Sequence, residues 1–565
     1  MSKLVGERTK QAPNDATIKS HAMLIRAGYI KLLANGIWSM TMPAQKIIKN
    51  IEKIIREEMD AIEGQEIALP VAQPREIWEQ SGRYLSIGDE LVRFKDRQNR
   101  DMCLAMTHEE AAVHLVRDSV VSYNQLPFMI YQFQTKFRDE LRSRGGLIRV
   151  REFIMKDAYS FHATQEDLQE YYQRAFDAYN NIFSKIGMKN FISVQSDSGM
   201  MGGKIAHEFM LLTDIGEDSI AICPHCDYKA NMEVAESIIS AQEEETQNPI
   251  EEVFTGDAKE IAEVCECLSI QANKTIKAVV YADKMTNEII IAFIRGDLDI
   301  NEAKLKKIVG REIVPCNIDE SEDLVAGNIG VLGKFKAKIV YDESIKNTYN
   351  MVTGANKKDY HIKGINPSRD LGGVEYKDIR KVKENDICPY CKEKITLKNG
   401  IEIGNIFQLG TKYTQTMGMT TLGKDGRPFN PIMGCYGIGL GRSLASIAEE
   451  RADEKGLNWP IAIAPFAVYL CPLRYEKEEV KKPTDDIYAN LKSQKIDVIL
   501  DDRKVSPGYK FSDCDLMGIP IRIVVSPRSI EKNMVEISSL DGSIKEDVLI
   551  TCLYDRLNEI ILSLS

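Results

Sequence analysis

No apolar run in this 565-residue sequence approaches the roughly 20 residues needed for a membrane-spanning helix. The opening MSKLVGERTKQAPNDA is polar and lacks the apolar core of a secretory signal. Excess positive charge is also missing. The formal net charge of -11 argues against general nucleic-acid coating, DNA included, but leaves room for a local basic surface that binds RNA. Nor is there a disulfide framework. The 12 cysteines are mostly scattered singly, as at Cys103, Cys316, Cys435 and Cys552, which suits a reducing compartment and makes the cytoplasm the expected address. There is no short repeat and no low-complexity tract. What is present is ordinary for a globular chain: 44% hydrophobic and 28% charged residues, at a length that calls for three or four domains.

Residues 18–62 carry an amphipathic stretch, then Pro43, then AQKIIKNIEKIIREEMDAI with apolar positions at helical spacing. LPFMIYQFQTKFRDE and IRVREFIMKDAYSFH read as two strands of a long hairpin around the turn SRGGL, with Arg on the strands and in the loop. Composition shifts near Cys223, and the acidic run at 240–252 reads as an exposed linker. IKAVVYA and EIIIAFIRG suggest a separate α/β domain within 255–383. After Gly400 come a strand, IEIGNIFQLGTKY, and a Gly-rich strand-to-helix segment, GCYGIGLGRSLASIAEE. From Ile461 on, strands and helices alternate as in a small α/β domain with a parallel-leaning sheet.

Two CxxC pairs stand far apart, Cys223 with Cys226 and Cys388 with Cys391. Four thiolates on two such knuckles make a tetrahedral, structural Zn²⁺ site if an insertion emerges between them and its ends meet at the base. Reduced cysteines in two tight turns are the alternative.

FRDE followed by RVREF, the later GIGLGR, and Pro43 after the amphipathic stretch match the three motifs of class II aminoacyl-tRNA synthetases. The strings THEE, FRDELRSRGGLIRVREFIMKDAYSFH, IFQLGTKY and GCYGIGLGR resemble the bacterial-type prolyl-tRNA synthetases over nearly the whole chain. The resemblance implies ATP-dependent ligation of L-proline to tRNA(Pro) through a prolyl-adenylate. It implies a mixed α/β and α+β multidomain fold: an antiparallel catalytic sheet in 1–222 and 401–462, an α/β editing insertion in 223–400 and an α/β anticodon-binding domain in 463–565. A homodimer is expected from the first motif. A synthetase-like protein that binds tRNA or regulates without chemistry is the competing reading, and intact Arg138, Glu140, Arg149 and Arg442 weigh for the enzyme.

Adenylation needs no protein nucleophile; it needs two anions aligned and phosphoryl charge stabilised. Arg, planar and permanently charged, suits that task. By resemblance, Arg138 serves the α-phosphate and the proline carboxylate, Arg149 and Arg442 the outer phosphates, and Arg138 and Arg442 are the catalytic pair. Glu140 accepts from the adenine amino group, Phe153 stacks on adenine, and Glu402 holds Mg²⁺. Asn405 and Gln408 complete the ATP set; Asn405 stands where many relatives place His, so any imidazole role there is lost. Thr107 and Glu109 of THEE match the family's amine-binding loop, although Thr followed by two Glu also suits a helix start. Phe407 and His207 are candidates for the ring side of the pocket, His207 being equally accounted for as a structural histidine.

Alanine and cysteine fit a proline pocket, and a methylene-sized contact discriminates by only about 1–3 kcal/mol, so a second, hydrolytic site is the general remedy. The insertion resembles the family's editing domain. Lys277 is then expected at the tRNA 3′ end, Asp342 and His361 around the misattached aminoacyl group, and Gly327 and Gly330 where backbone amides approach the ester. A purely structural insertion remains the alternative. In the C-terminal domain Arg503, Lys510 and Phe511 are the expected anticodon contacts, with an Arg503 ion pair to Asp501 or Asp502 as the competing account.

Overall fold

The computed structural model describes residues 1–564 except 198–200, 202–204, 240–242, 317 and 319–323. The start of the acidic run read as a linker therefore lies outside the described residues. The chain divides into two compact units, one of Met1–Ser193, Ser198–Glu217 and Gly400–Ser565, the other of Val194–Asp197 and Asp218–Asn399.

In the first unit, helix α1 (Met42–Ala61) begins with Pro43 in its first turn, where a missing N–H costs nothing. Its Ile47, Ile48, Ile51 and Ile55 are fully buried, each contributing about 1.5–3 kcal/mol relative to exposure. The remaining helices around the site are α2 (Glu109–Val116), α3 (Gln165–Lys185) and α4 (Leu440–Arg451). They surround six strands of a nine-stranded sheet: β1 (Gly64–Glu66), β2 (Phe128–Phe137), β3 (Glu152–His162), β4 (Ile205–Leu212), β5 (Thr396–Gly410) and β6 (Ile432–Gly439). The spatial order is β4–β5–β6–β3–β2–β1, antiparallel throughout except for the β1–β2 pair. The β2–β3 hairpin read from the sequence is present, with Phe128 opposite Phe161 and Phe137 opposite Glu152.

Successive residues of a strand face opposite sides of a sheet, and here the two sides do different work. Met129, Tyr131, Ala158, Ile406, Tyr436 and Ile438 belong to the core beneath α1, α3 and α4. Ile130, Tyr159, Ala206, Phe407 and Cys435 belong to a second core that also takes residues of α2. Gly437 and Gly439 share the parity of Cys435, so they keep this second face low where a side chain would otherwise rise. The second face is the floor of the candidate site.

The last domain is a five-stranded sheet. Val498–Leu500, Val468–Pro472 and Ile521–Val525 run parallel, then Met534–Ser539 and Lys545–Leu549 add antiparallel strands. The second unit is built on the antiparallel pair Ile276–Asp283 and Ile289–Arg295.

Candidate active site

At the centre of the floor lies a buried carboxylate. Glu109 opens α2, is 0% exposed, and accepts from the Thr107 hydroxyl at 2.7 Å and 2.8 Å. Thr107 does not cap the helix: no side-chain cap bond is made, and His108 is the residue at the N-cap position. Arg83, which sequence reasoning missed, provides the counter-charge. Its guanidinium lies 3.1 Å from Glu109 and 3.1 Å from Glu110, packed near the faces of Trp78 and Tyr413. No local motif marks Arg83; only folding brings it to a helix 26 residues downstream. Burial pushes the Glu110 carboxyl above its usual range, with Arg83 opposing the shift.

Arg138 follows the end of β2 and is fixed at both ends. Its backbone N–H donates to the Arg151 carbonyl at 2.8 Å, and its Nε donates to the Met106 carbonyl at 3.2 Å. The guanidinium sits over the Phe153 ring, 5.3 Å from its centre. Burial lowers its pKa, and Glu402, Arg442 and Glu109 are all within electrostatic reach of it. One arginine therefore feels the charge of both the buried Glu109 carboxylate and the Glu402–Arg442 pair. Arg442 donates to the Ile148 carbonyl at 2.9 Å and lies 3.1 Å from the Glu402 carboxylate, tying α4 to the hairpin loop and to β5. Arg149 is held by Glu140 at 2.8 Å and by Glu217 at 3.1 Å. Glu217 was also missed; it pairs with Arg144 as well.

Along β5 the strand parity separates the expected ligands. Asn405 and Phe407 face the floor. The Asn405 Oδ1 is buried without a hydrogen-bond partner within the protein. Gln408 faces the other way: its amide bonds Gln165 and Gln169 of α3, both at 2.8 Å. His207 is likewise on the α3 side, with Nδ1 2.8 Å from the Tyr172 hydroxyl and the Phe176 ring against it. Neither residue reaches the floor, and both are corrected to packing roles. Glu402 escapes the parity because the register shifts between its pairing with Met210 and that of Gly404 with Phe209. Such a bulge re-aims a side chain.

In the second unit a cavity of about 710 Å³ is lined by Lys277, Gly327, Thr353 and His361, with Ile261 and Val264 on its apolar side. His361 Nδ1 lies 2.7 Å from the Thr255 hydroxyl, and burial lowers the imidazole pKa. Asp342 is not among the lining residues. It is fully buried and accepts from the N–H groups of Ser344 and Ile379 at 2.8 Å and 2.9 Å, so its carboxylate shapes a turn and not the cavity. Gly330 is also displaced: its N–H already donates to Asn356, and a Cβ there would meet the Gly354 carbonyl at 1.6 Å. Its job is close backbone packing.

The four knuckle cysteines do converge. Their Sγ atoms all lie within 4.8 Å of one another, with Cys223 3.3 Å from Cys391 and Cys226 3.7 Å from Cys388. Tetrahedral zinc–thiolate bonds of about 2.3 Å separate sulfurs by about 3.8 Å, so the donor set fits that ion.

The expected anticodon contacts are otherwise occupied. Arg503 forks onto Asp501 and pairs with Asp513 at 2.7 Å. Lys510 is 2% exposed and donates to the carbonyls of Pro472 and Asp501. Phe511 packs on the core with Arg522 over its ring. Each of the three therefore has a partner within the domain. Arg503 and Lys510 nevertheless line a cavity of about 660 Å³ together with Arg474, Lys504 and Arg528.

Comparison with known proteins matches this arrangement. The family described as tRNA synthetase class II core domain (G, H, P, S and T) matches residues 92–451. A proline--tRNA ligase of Bacillus cereus (strain AH820) is 42% identical over 94% of this chain and 94% of its own length. This chain belongs to the proline--tRNA ligase family. A second family member, from Halothermothrix orenii, is 43% identical over 95% of this chain and 94% of its own. The family described as anticodon binding domain matches residues 467–560. Among solved structures, prolyl-tRNA synthetase from Cryptosporidium parvum complexed with halofuginone and AMPPNP aligns with a TM-score of 0.59 at 13% identity. That alignment covers 96% of this chain and 77% of that one, a likeness of fold.

Proposed function

We propose that this proline--tRNA ligase family member activates L-proline with ATP and transfers it to tRNA(Pro). The observation that carries the reading is the anchoring of Arg138 by the Met106 and Arg151 carbonyls and against the Phe153 ring, on the sheet that also carries buried Glu109 and the Glu402–Arg442 pair at its surface. Thr107 and Glu109 take the ring ammonium, and Phe407 bounds the ring. Arg138 aligns the proline carboxylate with the α-phosphate and stabilises charge as pyrophosphate leaves. Arg149 and Arg442 receive the outer phosphates, Glu140 the adenine amino group and Phe153 the adenine face. Asn405 offers its orphaned acceptor to the nucleotide. The Glu402 carboxylate would hold the Mg²⁺ that accompanies ATP, an ion that takes few protein ligands and would supply charge neutralisation on the phosphates. The tRNA terminal hydroxyl then attacks the acyl carbon and AMP departs.

The cavity holding Lys277 and His361 is the proposed hydrolytic site for mischarged alanyl-tRNA, since the proline pocket alone discriminates poorly. Cys223, Cys226, Cys388 and Cys391 would hold Zn²⁺, which would fasten the two ends of the insertion. Arg474, Lys504 and Arg528 join Arg503, Lys510 and Phe511 as the proposed anticodon-domain contacts. A cytoplasmic homodimer completes the proposal; the hairpin at Ile30–Met40 exposes Leu32 and Leu33, 50% and 74% accessible, which such an interface would cover.

The test is amino-acid-dependent ATP–pyrophosphate exchange, with each amino acid supplied separately and Arg138→Ala as control. Strong exchange with proline, weaker exchange with alanine or cysteine, and loss in the variant are expected. No exchange with any amino acid from folded protein and Mg²⁺ would overturn the reading.

A further inference from the structure

Beneath the Thr107–Glu109 turn lies a closed hydrogen-bond network to which the adenylation chemistry above gives no role. Asp157, on the floor side of β3, is 2% exposed. It accepts three bonds: from Lys136 Nζ at 2.7 Å, Gln132 Nε2 at 3.0 Å and the Tyr159 hydroxyl at 2.8 Å. Gln132 cannot rotate to relieve any of them, because its Oε1 accepts from the Leu69 N–H at 2.8 Å. The Tyr159 oxygen, having donated its only proton to Asp157, accepts from the backbone N–H of His108 at 3.1 Å. His108 is 0% exposed and stands between the two residues read as the amine pocket. Its ring is tied through Nε2 to the Pro70 carbonyl at 3.2 Å.

Every proton in this chain has a forced direction. An ionised carboxylate is an acceptor only and can end three donors at once. A carboxamide of the same shape cannot, because half of it donates. Lys136 carries donors alone, and Gln132 is pinned, so the hydroxyl of Tyr159 is the member that yields. Its proton would turn toward the His108 N–H, setting donor against donor under the substrate's amine site.

We propose that Asp157 is a positioning residue for amine recognition: by taking the Tyr159 proton it keeps that oxygen an acceptor for His108 and holds the Thr107–Glu109 turn in its binding geometry. The inference rests on the reading of Thr107 and Glu109 as the amine pocket. It predicts a selective defect. Asp157→Asn and Tyr159→Phe loosen the grip on the ammonium and leave the nucleotide side, built on Arg138, Arg149 and Arg442, in place.

The experiment measures pyrophosphate exchange on the full chain, with KM for proline and for ATP. It adds the inhibition constant of tetrahydrofuran-2-carboxylate, a proline analogue with oxygen in place of the ring nitrogen. Asp157→Asn and Tyr159→Phe should each raise the proline KM about tenfold. The ATP KM and the analogue's inhibition constant should stay within about twofold, so that the preference for the amine collapses. Equal weakening of proline and analogue, a parallel rise in the ATP KM, or an unchanged proline KM would overturn the proposal. If Asp157→Asn does not fold, Tyr159→Phe, which removes one oxygen, decides alone. Glu109→Gln separates the two levels. If it too leaves the amine preference intact, the amine-pocket reading fails. If it abolishes the preference while the Asp157 and Tyr159 variants keep it, only the positioning role fails.

Discussion

Replacing Arg83 by methionine should destabilise the floor of the site more than any other single change of charge there. Arg83 is 4% exposed and faces two carboxylates that are 0% exposed. Removing one partner of a buried ion pair typically costs about 3–5 kcal/mol, because the remaining charge stays buried without compensation. In a chain this long unfolding proceeds by parts, so the readout should be local. Amide hydrogen exchange in peptides covering Glu109–Val116 reports the opening free energy of that helix. At pH 7 Arg83→Met should lower it by about 3–5 kcal/mol. The pH dependence follows from Glu110, whose carboxyl burial already holds high against the pull of Arg83. Without Arg83 its folded pKa rises further above the unfolded value. Stability is then retained below the unfolded pKa and lost as pH rises toward the folded one. The deficit of the variant should therefore shrink as pH falls from the folded pKa of Glu110 in the variant toward that in the wild type, by at most about 1.4 kcal/mol per pH unit while one proton is taken up. A deficit below about 1 kcal/mol, against the 3–5 expected, or one that does not change with pH, would refute the idea that Arg83 neutralises the floor.

Other consequences are open to direct measurement. Lys504→Ala combined with Arg528→Ala should raise the tRNA KM severalfold, steepen no part of the ATP or proline dependence, and flatten the salt dependence of charging; unchanged tRNA kinetics would remove that cavity from the RNA surface. The purified chain should carry one Zn²⁺ by elemental analysis, and Cys388→Ser should lose it with faster alkylation of the remaining knuckle thiols. Metal-free protein from zinc-supplemented cells would leave four reduced cysteines as the answer. His361→Ala should slow deacylation of alanyl-tRNA at least about tenfold with proline activation unaffected, whereas Asp342→Asn should act through stability of the insertion; equal clearance by wild type and His361→Ala would end the editing assignment.

What could be read in the sequence and what could not divide along a physical line. Arg138, Glu140, Arg149 and Arg442 stand in short strings whose order is set by a hairpin and a strand-to-helix turn, both local structures. The knuckle cysteines were legible for the same reason: each pair is a tight turn, although their meeting across the insertion was an inference about closure. His207 and Gln408 went wrong because residue type and nearness in sequence to Phe407 do not reveal which side of a strand a side chain takes. The partners of Arg503 and Lys510 were not legible, because no local pattern records that the fold sets one against Asp501 and Asp513 and the other against two backbone carbonyls.

By itself, then, the sequence determined the class of chemistry, the order of the motifs and the main elements, because those depend on spacing within a strand, a turn or a helix. Tertiary structure alone decided which of the nominated residues meet. Sheet parity sent Asn405 and Phe407 to the floor and Gln408 and His207 to α3, and a one-residue bulge turned Glu402 back toward Arg442. Packing brought Arg83 to Glu109 and gathered Lys136, Gln132 and Tyr159 on Asp157. Buried charges must find partners wherever the fold places them, and no local pattern records which partner that will be.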